Sequence, residues 1–446
     1  MNRKIDPALI APLTTAGKTF YITATILAVI VLWSFFAFGY QFYWGLGTTG
    51  MGHPISWAFY LINFVFFIGI SHAGTLISAI LRITHAGWRT PITRAAEAIT
   101  VFALMCGPTN ILFDLGRVLK VYWVGIHANL LSPLLWDATS ITTYFLTSSL
   151  FLYVLMIPDI GLLRDQLGKR KWFYRILALG WNGNPNQQRI LNKLIAFLCV
   201  AVIPIAVSVH TVVSWVFGMQ MKPMWHSTIF GPYFVAGAIY SGIATIILVA
   251  AILRKVYHLE RYLQPTHFNN MGLLLLTMTL LWFYFTLAEY LTTVYGGGEA
   301  ELAVFWAKFT GKYSPMFWTM VLLCFAIPFP VLAFKRTRTI LGTSIASISI
   351  VIGMWLERFL IIIPTFSQPM LPYERGSYWP SWVEISLLAG LSAGFTLAFL
   401  LFSKVFPVIS IWEMEKEEKE RGGKLGKEPV SPEENFAVPK ATVREI

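Results

Sequence analysis

Residues 55–81, ISWAFYLINFVFFIGISHAGTLISAIL, decide the fold class of this chain. The stretch contains no Asp, Glu, Lys or Arg, and it exceeds the roughly 20 apolar residues that cross a bilayer as a helix. Because lipid offers no partners to backbone polar groups, a spanning segment of this kind has to be helical. His72 is its only histidine.

Further apolar stretches extend this pattern to ten predicted transmembrane helices. They lie at about 20–43, 55–81, 92–113, 132–156, 190–217, 228–253, 268–296, 316–334, 339–362 and 382–406. The chain is 56% apolar and 13% charged, whereas a soluble domain is about 25% charged. The net charge of +12 would suit a nucleic-acid partner, but the apolar content excludes that class. We therefore predict an all-α integral membrane protein.

Basic residues predict how the chain crosses the membrane. Most of the 34 Lys and Arg residues fall in segments on one side, and an even number of spans returns both ends to that side. Positive residues accumulate on the cytoplasmic face. We expect both termini in the cytoplasm of a bacterial inner membrane, with the basic segments near anionic lipids.

A short repeat suggests internal symmetry. The sequence AILR occurs at 79–82 and at 251–254, at the ends of two spans that run in the same direction. Spans two to five and six to nine are therefore predicted to form two four-helix bundles with flanking helices. The resulting division is a cytoplasmic N-terminus (1–19), a first flanking helix (20–54), a first bundle (55–217), a second bundle (218–362), a last flanking helix (363–411) and an exposed, charged cytoplasmic tail (412–446).

An ionisable side chain within a membrane span has a high free-energy cost, so the positions of such residues indicate function. We expect five groups to collect toward the outer face of the first bundle, namely Asp114, Arg117, Asp137, His210 and His226. Deeper groups form a candidate proton path, with His72 and Glu97 in the first bundle and Glu289, Glu357 and Arg358 in the second. Glu357 and Arg358 are expected to pair with other helices rather than with each other, and Glu384 to be wetted.

Proton acceptors in a half-dry apolar slot form the setting that a quinol headgroup requires. Asp114, Asp137 and His210 are the candidates to receive its protons. Arg117 would orient a quinone oxygen or hold Asp114. The first bundle is therefore predicted to contain the quinol site.

Resident redox cofactors are disfavoured by the cysteine and histidine positions. Cys106, Cys199 and Cys324 show no C-x-x-C spacing, which argues against an iron–sulfur cluster or a c-type haem held by this chain. Haem b requires two axial ligands at one depth on facing helices. His72 lies in the inner half of its span and His210 about two turns from the outer end of its own, so we expect no haem.

Several motifs resemble the polysulfide reductase NrfD family. They are GISHAGTLISAILR (69–82), RAAEA (94–98), GR (116–117), NPNQQR (184–189), SVHTVVSW (208–215), WHSTIF (225–230) and PYFVAGA (232–238). The likeness covers spans two to six and is greatest to the quinol-oxidising membrane subunit of bacterial alternative complex III. His72, Glu97, Arg117 and His210 match motif positions.

The resemblance implies a menaquinol-type site near the outer face and no cofactor held by the chain itself. It also implies a peripheral iron–sulfur subunit that takes the electrons, a second NrfD-like membrane subunit and c-type cytochrome subunits. Two positions depart from the family pattern. Asp114 stands where His is common, with Val118 in place of Pro, and Val216 replaces a frequent Asp.

The sequence thus predicts a membrane subunit of a respiratory or photosynthetic quinol:electron-acceptor oxidoreductase, with proton translocation left open. Two alternatives remain. One is a quinone-reducing anchor of a polysulfide reductase, dimethyl sulfoxide reductase or hydrogenase complex. The other is a proton-conducting scaffold or transporter without quinone, for which Gly107-Pro108 and Pro204 would mark discontinuous helices.

Overall fold

The computed structural model describes residues 6–166, 171–368 and 376–424, and within these ranges its regular structure is entirely helical. In chain order the helices are α1 (Pro7–Thr14), α2 (Lys18–Trp44), α3 (Phe59–Ile83), α4 (Thr90–Asp114), α5 (Trp123–Ile126), α6 (Pro133–Gln166), α7 (Lys171–Leu177), α8 (Pro185–Gly218), α9 (Phe230–Val256), α10 (Pro265–Gly296), α11 (Glu299–Phe309), α12 (Ser314–Val321), α13 (Pro328–Ala333), α14 (Ile340–Ser367), α15 (Trp382–Val405) and α16 (Ile411–Lys424). Short 3₁₀ turns occupy Leu46–Thr48 and Val118–Lys120.

Ten helical segments in the described ranges are long and apolar enough to cross a membrane, which confirms the predicted fold class. They are α2, α3, α4, α6, α8, α9, α10, the α12–α13 segment, α14 and α15. Successive spans alternate in direction, so α1 and α16 lie on the same side. We call this the terminal side and the opposite one the far side.

The spans pack as two bundles with two flanking helices. Helices α3, α4, α6 and α8 form the first bundle, and α9, α10, α12–α13 and α14 form the second. Helix α2 packs mainly on α15, and most of its apolar surface is left for lipid. The boundaries of the domains along the chain stay a prediction from the sequence.

The two bundles meet along α3 and α9. In the register set by the AILR repeat, Gly69 of α3 corresponds to Ser241 of α9, and a Cβ placed on Gly69 would lie 3.3 Å from the Ser241 Oγ. Helix α8 packs on α9, and its counterpart α14 packs on α3. The Trp355 indole of α14 donates to Asn63 Oδ1 of α3 at 2.9 Å. Equivalent helices therefore make equivalent contacts.

The helices do not break where proline suggested discontinuity. Helix α4 continues through Pro108 and α8 through Pro204. The irregular span is instead the eighth, where a π-helical segment at Leu322–Ala326 separates α12 from α13. The discontinuous helices that the transporter alternative required at Gly107-Pro108 and Pro204 are therefore not formed.

The tail also differs from expectation. Residues 425–446 lie outside the described ranges, but Ile411 and Glu413 of α16 are buried against the terminal side of the first bundle. The charges of this segment suggested an exposed tail. Glu413 is buried because arginines at the ends of α3 and α4 pair with it, as described below, whereas Lys416 is exposed.

Helix α3 owes its central position to small residues that let neighbouring backbones approach. Gly74 marks the tightest approach, since a Cβ there would lie 1.9 Å from the Ala96 carbonyl oxygen of α4. A side chain at this position has to push two backbones apart. The contact between α3 and α4 therefore depends on Gly74.

We expect Gly74→Ala to destabilise the protein by about 1–3 kcal/mol, the usual cost of overpacking a core. Thermal unfolding of the purified protein in detergent measures the change. Gly39→Ala in α2 is the matched control, because a Cβ there meets nothing within 4 Å. Equal melting temperatures for the two variants would contradict the close packing at Gly74.

Candidate functional site

A cavity of about 550 Å³ lies between the far-side halves of α4 and α6. Its walls are mainly apolar and include Phe64 of α3 and Val124 of α5. Thr139 and Thr142 line it and are also exposed on the membrane face of α6, so the cavity can be reached from the bilayer. The volume falls within the roughly 300–1,000 Å³ of small-molecule sites.

Among the described residues lining this cavity, Asp137 alone has an acidic or basic side chain. Asp137 is 8% exposed, and its Oδ1 has no hydrogen-bond partner in the described part of the chain. An unpartnered buried carboxylate oxygen carries a desolvation cost that a donated hydrogen bond removes. The cavity therefore suits an apolar ligand with a hydroxyl donor.

Asp114 and Arg117 lie close in sequence to this cavity but do not line it. The Asp114 carboxylate lies within electrostatic range of Tyr60 and Glu384, on the side of α4 that faces α2 and α15. Arg117 is exposed, and no ion pair joins it to Asp114 among the described residues. The expected pairing of these two residues is therefore not formed, because the helix ends at Asp114 and Gly116 turns the chain with a positive φ.

His226 lies at a second, separate groove of about 730 Å³ between α8, α9 and α10. It is exposed, and its Nδ1 lies 3.4 Å from the Gly218 carbonyl oxygen. The lining residues of the groove and of the cavity do not overlap. One headgroup cannot contact both His226 and Asp137, so the five groups expected to collect in one site are divided among several places.

His72 and His210 form a buried pair in the middle of the first bundle. Both are fully buried, and His72 Nε2 lies 3.1 Å from His210 Nδ1. The two ring nitrogens of His72 also face backbone carbonyls, with Nδ1 at 2.9 Å from Ile68 O and Nε2 at 2.5 Å from Ala206 O. A neutral His72 can donate to only one of these carbonyls, whereas a protonated His72 can donate to both.

The expectation that His72 and His210 differ in depth was wrong. When neighbouring helices are staggered, the position of a residue along its helix does not give its depth in the bundle. Helix α8 has 34 residues and α3 has 25, so equal positions along the two helices do not lie at equal depth. The ring centroids lie only 3.9 Å apart. Rings in direct contact cannot stand on opposite faces of one porphyrin, so this pair does not have the geometry of haem ligands.

A series of hydroxyl groups continues from the histidine pair. The Tyr144 ring lies 5.1 Å from that of His72, and its hydroxyl donates to the Ser71 carbonyl at 3.0 Å. Thr100 Oγ1 donates to the same carbonyl at 2.8 Å. On the terminal side, Ser78 Oγ donates to Glu97 Oε1 at 2.5 Å. Polar groups therefore extend from the middle of the bundle toward the terminal side.

Asp137, Tyr144 and Ser148 share one face of α6, because their spacings of seven and four residues correspond to whole helical turns. All three are buried. Polar side chains on this face of α6 therefore extend from the cavity to the depth of the histidine pair. Tyr144 and Ser148 were missed in the sequence, although their helical spacing from Asp137 could have revealed them.

A network of charged groups surrounds Glu97 on the terminal side. Arg94 donates to Asp159 Oδ2 and to the Leu155 carbonyl, each at 2.9 Å. Glu97 is 1% exposed, and its Oε2 has no partner among the described residues. Asp159 was missed because α6 extends ten residues beyond the predicted span, which placed Asp159 in a loop.

The second bundle contains a satisfied ion pair rather than a free acid. Arg358 donates to Glu357 Oε2, while the Tyr233 hydroxyl and, at 2.6 Å, the Trp282 indole donate to Oε1. Each of these two residues was expected to pair with another helix. Glu357 does so through Tyr233 of α9 and Trp282 of α10, whereas the Arg358 guanidinium folds back onto its neighbour Glu357. The pair is buried, and the Arg358 guanidinium lies 5.3 Å from the Phe234 ring.

Glu289 and Lys308 form the far-side group of the second bundle. Ser227 donates to the Glu289 carboxylate, and Lys308 of α11 is 4% exposed. Burial lowers the pKa of the Lys308 ammonium to about 8, although Glu289 and Glu357 act in the opposite direction. Lys308 was read in the sequence only as an outer-loop charge.

Glu384 was expected to be in contact with water near the end of its span, but it is fully buried. Its carboxylate accepts from Tyr378 Oη at 2.6 Å and from the backbone N–H groups of Gly50 and Ser381, each at 2.8 Å. It is thus the N3 residue of a capping box at the start of α15. Its role is to hold the far-side loops together.

Among the described residues, no group of three or more His, Cys, Asp and Glu side chains could hold a metal ion. The polar groups described above are ionisable and hydroxyl side chains. Asp137, the histidine pair and Glu97 are groups that can exchange protons at successive depths of one bundle.

Comparisons with known proteins agree with this architecture. The family model described as "Polysulphide reductase, NrfD" matches residues 47–369. Similar proteins include a putative dimethyl sulfoxide reductase membrane subunit from Halobacterium salinarum, at 25% identity over 51% of this chain and 50% of the relative. A selenate reductase subunit from Mesobacillus selenatarsenatis is 24% identical over 85% of this chain and 92% of its own.

A third relative is the Hdr-like menaquinol oxidoreductase integral membrane subunit from Archaeoglobus fulgidus, at 24% identity over 87% of this chain and 94% of its own. The chain thus spans half the length of the first relative and nearly all of the other two. None of these three is named for alternative complex III, so they do not support that finer resemblance.

Proposed function

Since the chain belongs to the polysulphide reductase NrfD family of membrane subunits, we propose that it binds quinol for an oxidoreductase complex, with the headgroup beside Asp137. Two observations about Asp137 carry the proposal: the residue lines a lipid-accessible cavity, and its buried Oδ1 has no hydrogen-bond partner in the described part of the chain. A quinol combines an apolar body with two hydroxyl donors, and the cavity offers apolar walls with one acceptor. Menaquinol appears in the name of one relative and is our choice of substrate.

Oxidation of a quinol to a quinone releases two electrons and two protons. In the proposed reaction a quinol hydroxyl donates to Asp137, and the carboxylate takes the two protons one after the other as the two electrons leave, passing the first along the proton route before it accepts the second. The electrons pass to an iron–sulfur cluster on a partner subunit. The apolar walls exclude water from the acceptor, which strengthens its hydrogen bond to the hydroxyl.

The proposed proton route starts at Asp137 and follows the inner face of α6. Tyr144 lies two turns farther along this face and against His72. Below the histidine pair, Ser78 and Glu97 continue the route toward the terminal side. Glu289 and the Glu357–Arg358 pair belong to the other bundle, and the pair is already satisfied by its own donors, so it has a structural role in this proposal.

The direction of electron flow is part of the proposal. Two relatives are named as subunits of reductases, and a reductase consumes electrons. A membrane subunit that supplies such an enzyme has to oxidise quinol rather than reduce quinone. The transporter alternative loses its sequence support, because α4 and α8 run unbroken through their prolines.

Purification of the natively expressed complex tests the function class. We expect an iron–sulfur protein to co-purify with this chain, and the complex to reduce an acceptor with a menaquinol analogue. A chain that purifies alone and conducts protons without quinol would contradict the proposal. Net quinone reduction under all acceptor conditions would contradict the direction.

Filling the cavity should weaken quinol binding. We expect Thr142→Trp to raise the KM for quinol roughly tenfold, a loss of about 1.4 kcal/mol. Thr277→Trp on α10 is the matched control, because both threonines are exposed in a span and donate to a carbonyl one turn back, at 2.7 Å for Thr142 and 3.1 Å for Thr277. Steady-state kinetics at varied quinol concentration measures both, and equal KM values would place the quinol elsewhere.

A further inference from the structure

The terminal-side network that surrounds Glu97 is covered by a segment of the chain's own C-terminal region. We name residues 408–417 the C-terminal plug. Its buried members are Val408, Ile409, Ser410, Ile411 and Glu413, each at most 4% exposed. Such burial is unusual for a segment that follows the last span and precedes a charged tail.

The first anchor of the plug is Asp159 of α6. Its Oδ1 accepts from the backbone N–H of Trp412 at 2.9 Å and its Oδ2 from that of Ile411 at 3.3 Å. These are free donors at the start of α16, where a carboxylate also meets the positive end of the helix dipole. The Trp412 indole donates to the Leu155 carbonyl at 3.1 Å. Helix α16 is thus capped by a side chain from another helix.

The second anchor is Glu413, which bridges two arginines. It pairs with Arg82 of α3 at 2.5 Å and with Arg89, the residue before α4, at 2.9 Å. Farther along, Thr90 of α4 donates to Glu417. The plug therefore ties together α3, α4 and α6, the helices that surround the end of the polar series.

Two carboxylates compete for the same arginines. Glu97 lies within electrostatic range of Arg82 and Arg94, and its Oε2 is unpartnered. In the docked state Glu413 holds Arg82, while Asp159 and Ser410 hold Arg94, the latter contact at 3.1 Å. Undocking of the plug would free Arg82 for Glu97 and remove the Ser410 contact from Arg94, whereas Asp159 of α6 would keep its ion pair with Arg94.

We propose that the C-terminal plug is a gate that closes water access to Glu97 from the terminal side and keeps Arg82 away from its carboxylate. Its effect on turnover rests on the proposed proton route, but the closure itself does not. Docked, the plug isolates Glu97. Undocked, it admits water and lets Arg82 hold Glu97 in its charged form.

The native Cys199 provides a reporter in the full-length chain. It is 2% exposed and lies within electrostatic range of Arg82, Arg89, Glu97 and Glu413, under the plug. We expect Glu413→Gln, or Asp159→Asn, to increase at least tenfold the rate at which a charged methanethiosulfonate labels Cys199 in detergent. Peptide mass spectrometry measures the rate at each cysteine.

Two controls separate gating from unfolding. Glu260→Gln removes one exposed negative charge outside the plug and should leave Cys199 labelling unchanged. Cys324 in the second bundle is fully buried and reports loss of the whole fold. Unchanged Cys199 labelling in the Glu413→Gln/Asp159→Asn double variant would overturn the proposal, as would parallel increases at Cys199 and Cys324. If Cys199 labelling increases as expected in these variants while quinol turnover stays unchanged, the proposed proton route would be wrong but the gate would not.

The plug should also open in acid. Burial alone would raise the pKa of the Glu413 carboxyl, but Arg82 and Arg89 hold it below its ordinary value of 4.5, with Arg94 adding to their effect. Because the pKa of Glu413 is lower in the docked state, its ionised carboxylate stabilises docking fully at any pH above the ordinary pKa of 4.5. This stabilisation is lost as the pH falls through the lowered pKa of the docked carboxyl.

A spin label at Lys416→Cys, an exposed plug position, measures this opening by its mobility. We expect constant mobility above about pH 5 and an increase only in more acidic solution. Two other buried carboxylates lie at this network, Glu97 near Arg82 and Asp159, which pairs with Arg94 and caps α16. Glu97→Gln should leave the acid transition in place, and disappearance of the transition in that variant would contradict its assignment to Glu413.

Discussion

Asp137→Asn is expected to reduce quinol turnover by a factor of about 10²–10⁴, the usual contribution of a positioned proton acceptor. The amide keeps the size of the side chain and can still accept a hydrogen bond from a quinol hydroxyl, but it cannot take the proton. The loss should therefore appear in kcat, with KM changed little. Steady-state kinetics of the purified complex with a menaquinol analogue measures both constants.

Asp114→Asn is the control for this result. The two carboxylates lie at the far side of the same bundle, but Asp114 faces Tyr60 and Glu384 rather than the cavity. We expect its turnover to stay within about threefold of the unaltered protein, as for a substitution outside the reacting groups. A large loss of turnover in Asp114→Asn with normal turnover in Asp137→Asn would indicate that the proton acceptor is Asp114, on the other side of α4.

The second large effect is expected at the histidine pair. His72→Phe and His210→Phe should each lower turnover about 100-fold, because each interrupts proton transfer between Tyr144 and Glu97. The imidazole nitrogens are only 3.1 Å apart, so the two rings act as one unit. We therefore expect the double variant to be no slower than the worse single variant, since residues that act as a unit are not additive.

His226→Phe is the matched control, because it removes an imidazole from the groove on the other side of α8. It should have little effect on turnover. Multiplied losses in the His72/His210 double variant would show that the histidines act in separate steps. Normal turnover in both single variants would remove the pair from the route.

The fold was accessible from sequence because lipid imposes simple rules. Each span is a long apolar run, and the AILR repeat marked α3 and α9 as equivalent. Helix lengths were less accessible. Polar ends such as the end of α6 near Asp159 extend beyond the bilayer core, and hydropathy cannot tell a helical extension from a loop.

The site was predicted in part, and the errors have a common cause. The sequence identified Asp137, His72, His210 and Glu97 as rare ionisable groups within spans. It could not give their partners, because stagger between helices and side-chain reach are set by packing. The contact of His72 with His210 depends on stagger.

The docking of the C-terminal region was beyond sequence reasoning for a similar reason. Glu413 stands in a stretch of alternating charges that is typical of a solvated segment. Its burial depends on Arg82 and Arg89, more than three hundred residues away in the chain. Pairing over such a distance leaves no local pattern.

Photoaffinity labelling with an azido-quinone tests the central claim most directly. Peptide mapping of the labelled complex should find the label on the cavity walls, within 108–115 of α4 or 134–143 of α6, and excess menaquinol analogue should prevent it. Label displaced by quinol from the groove at 211–235 of α8 and α9, with none on α4 or α6, would contradict the assignment of the quinol site to Asp137.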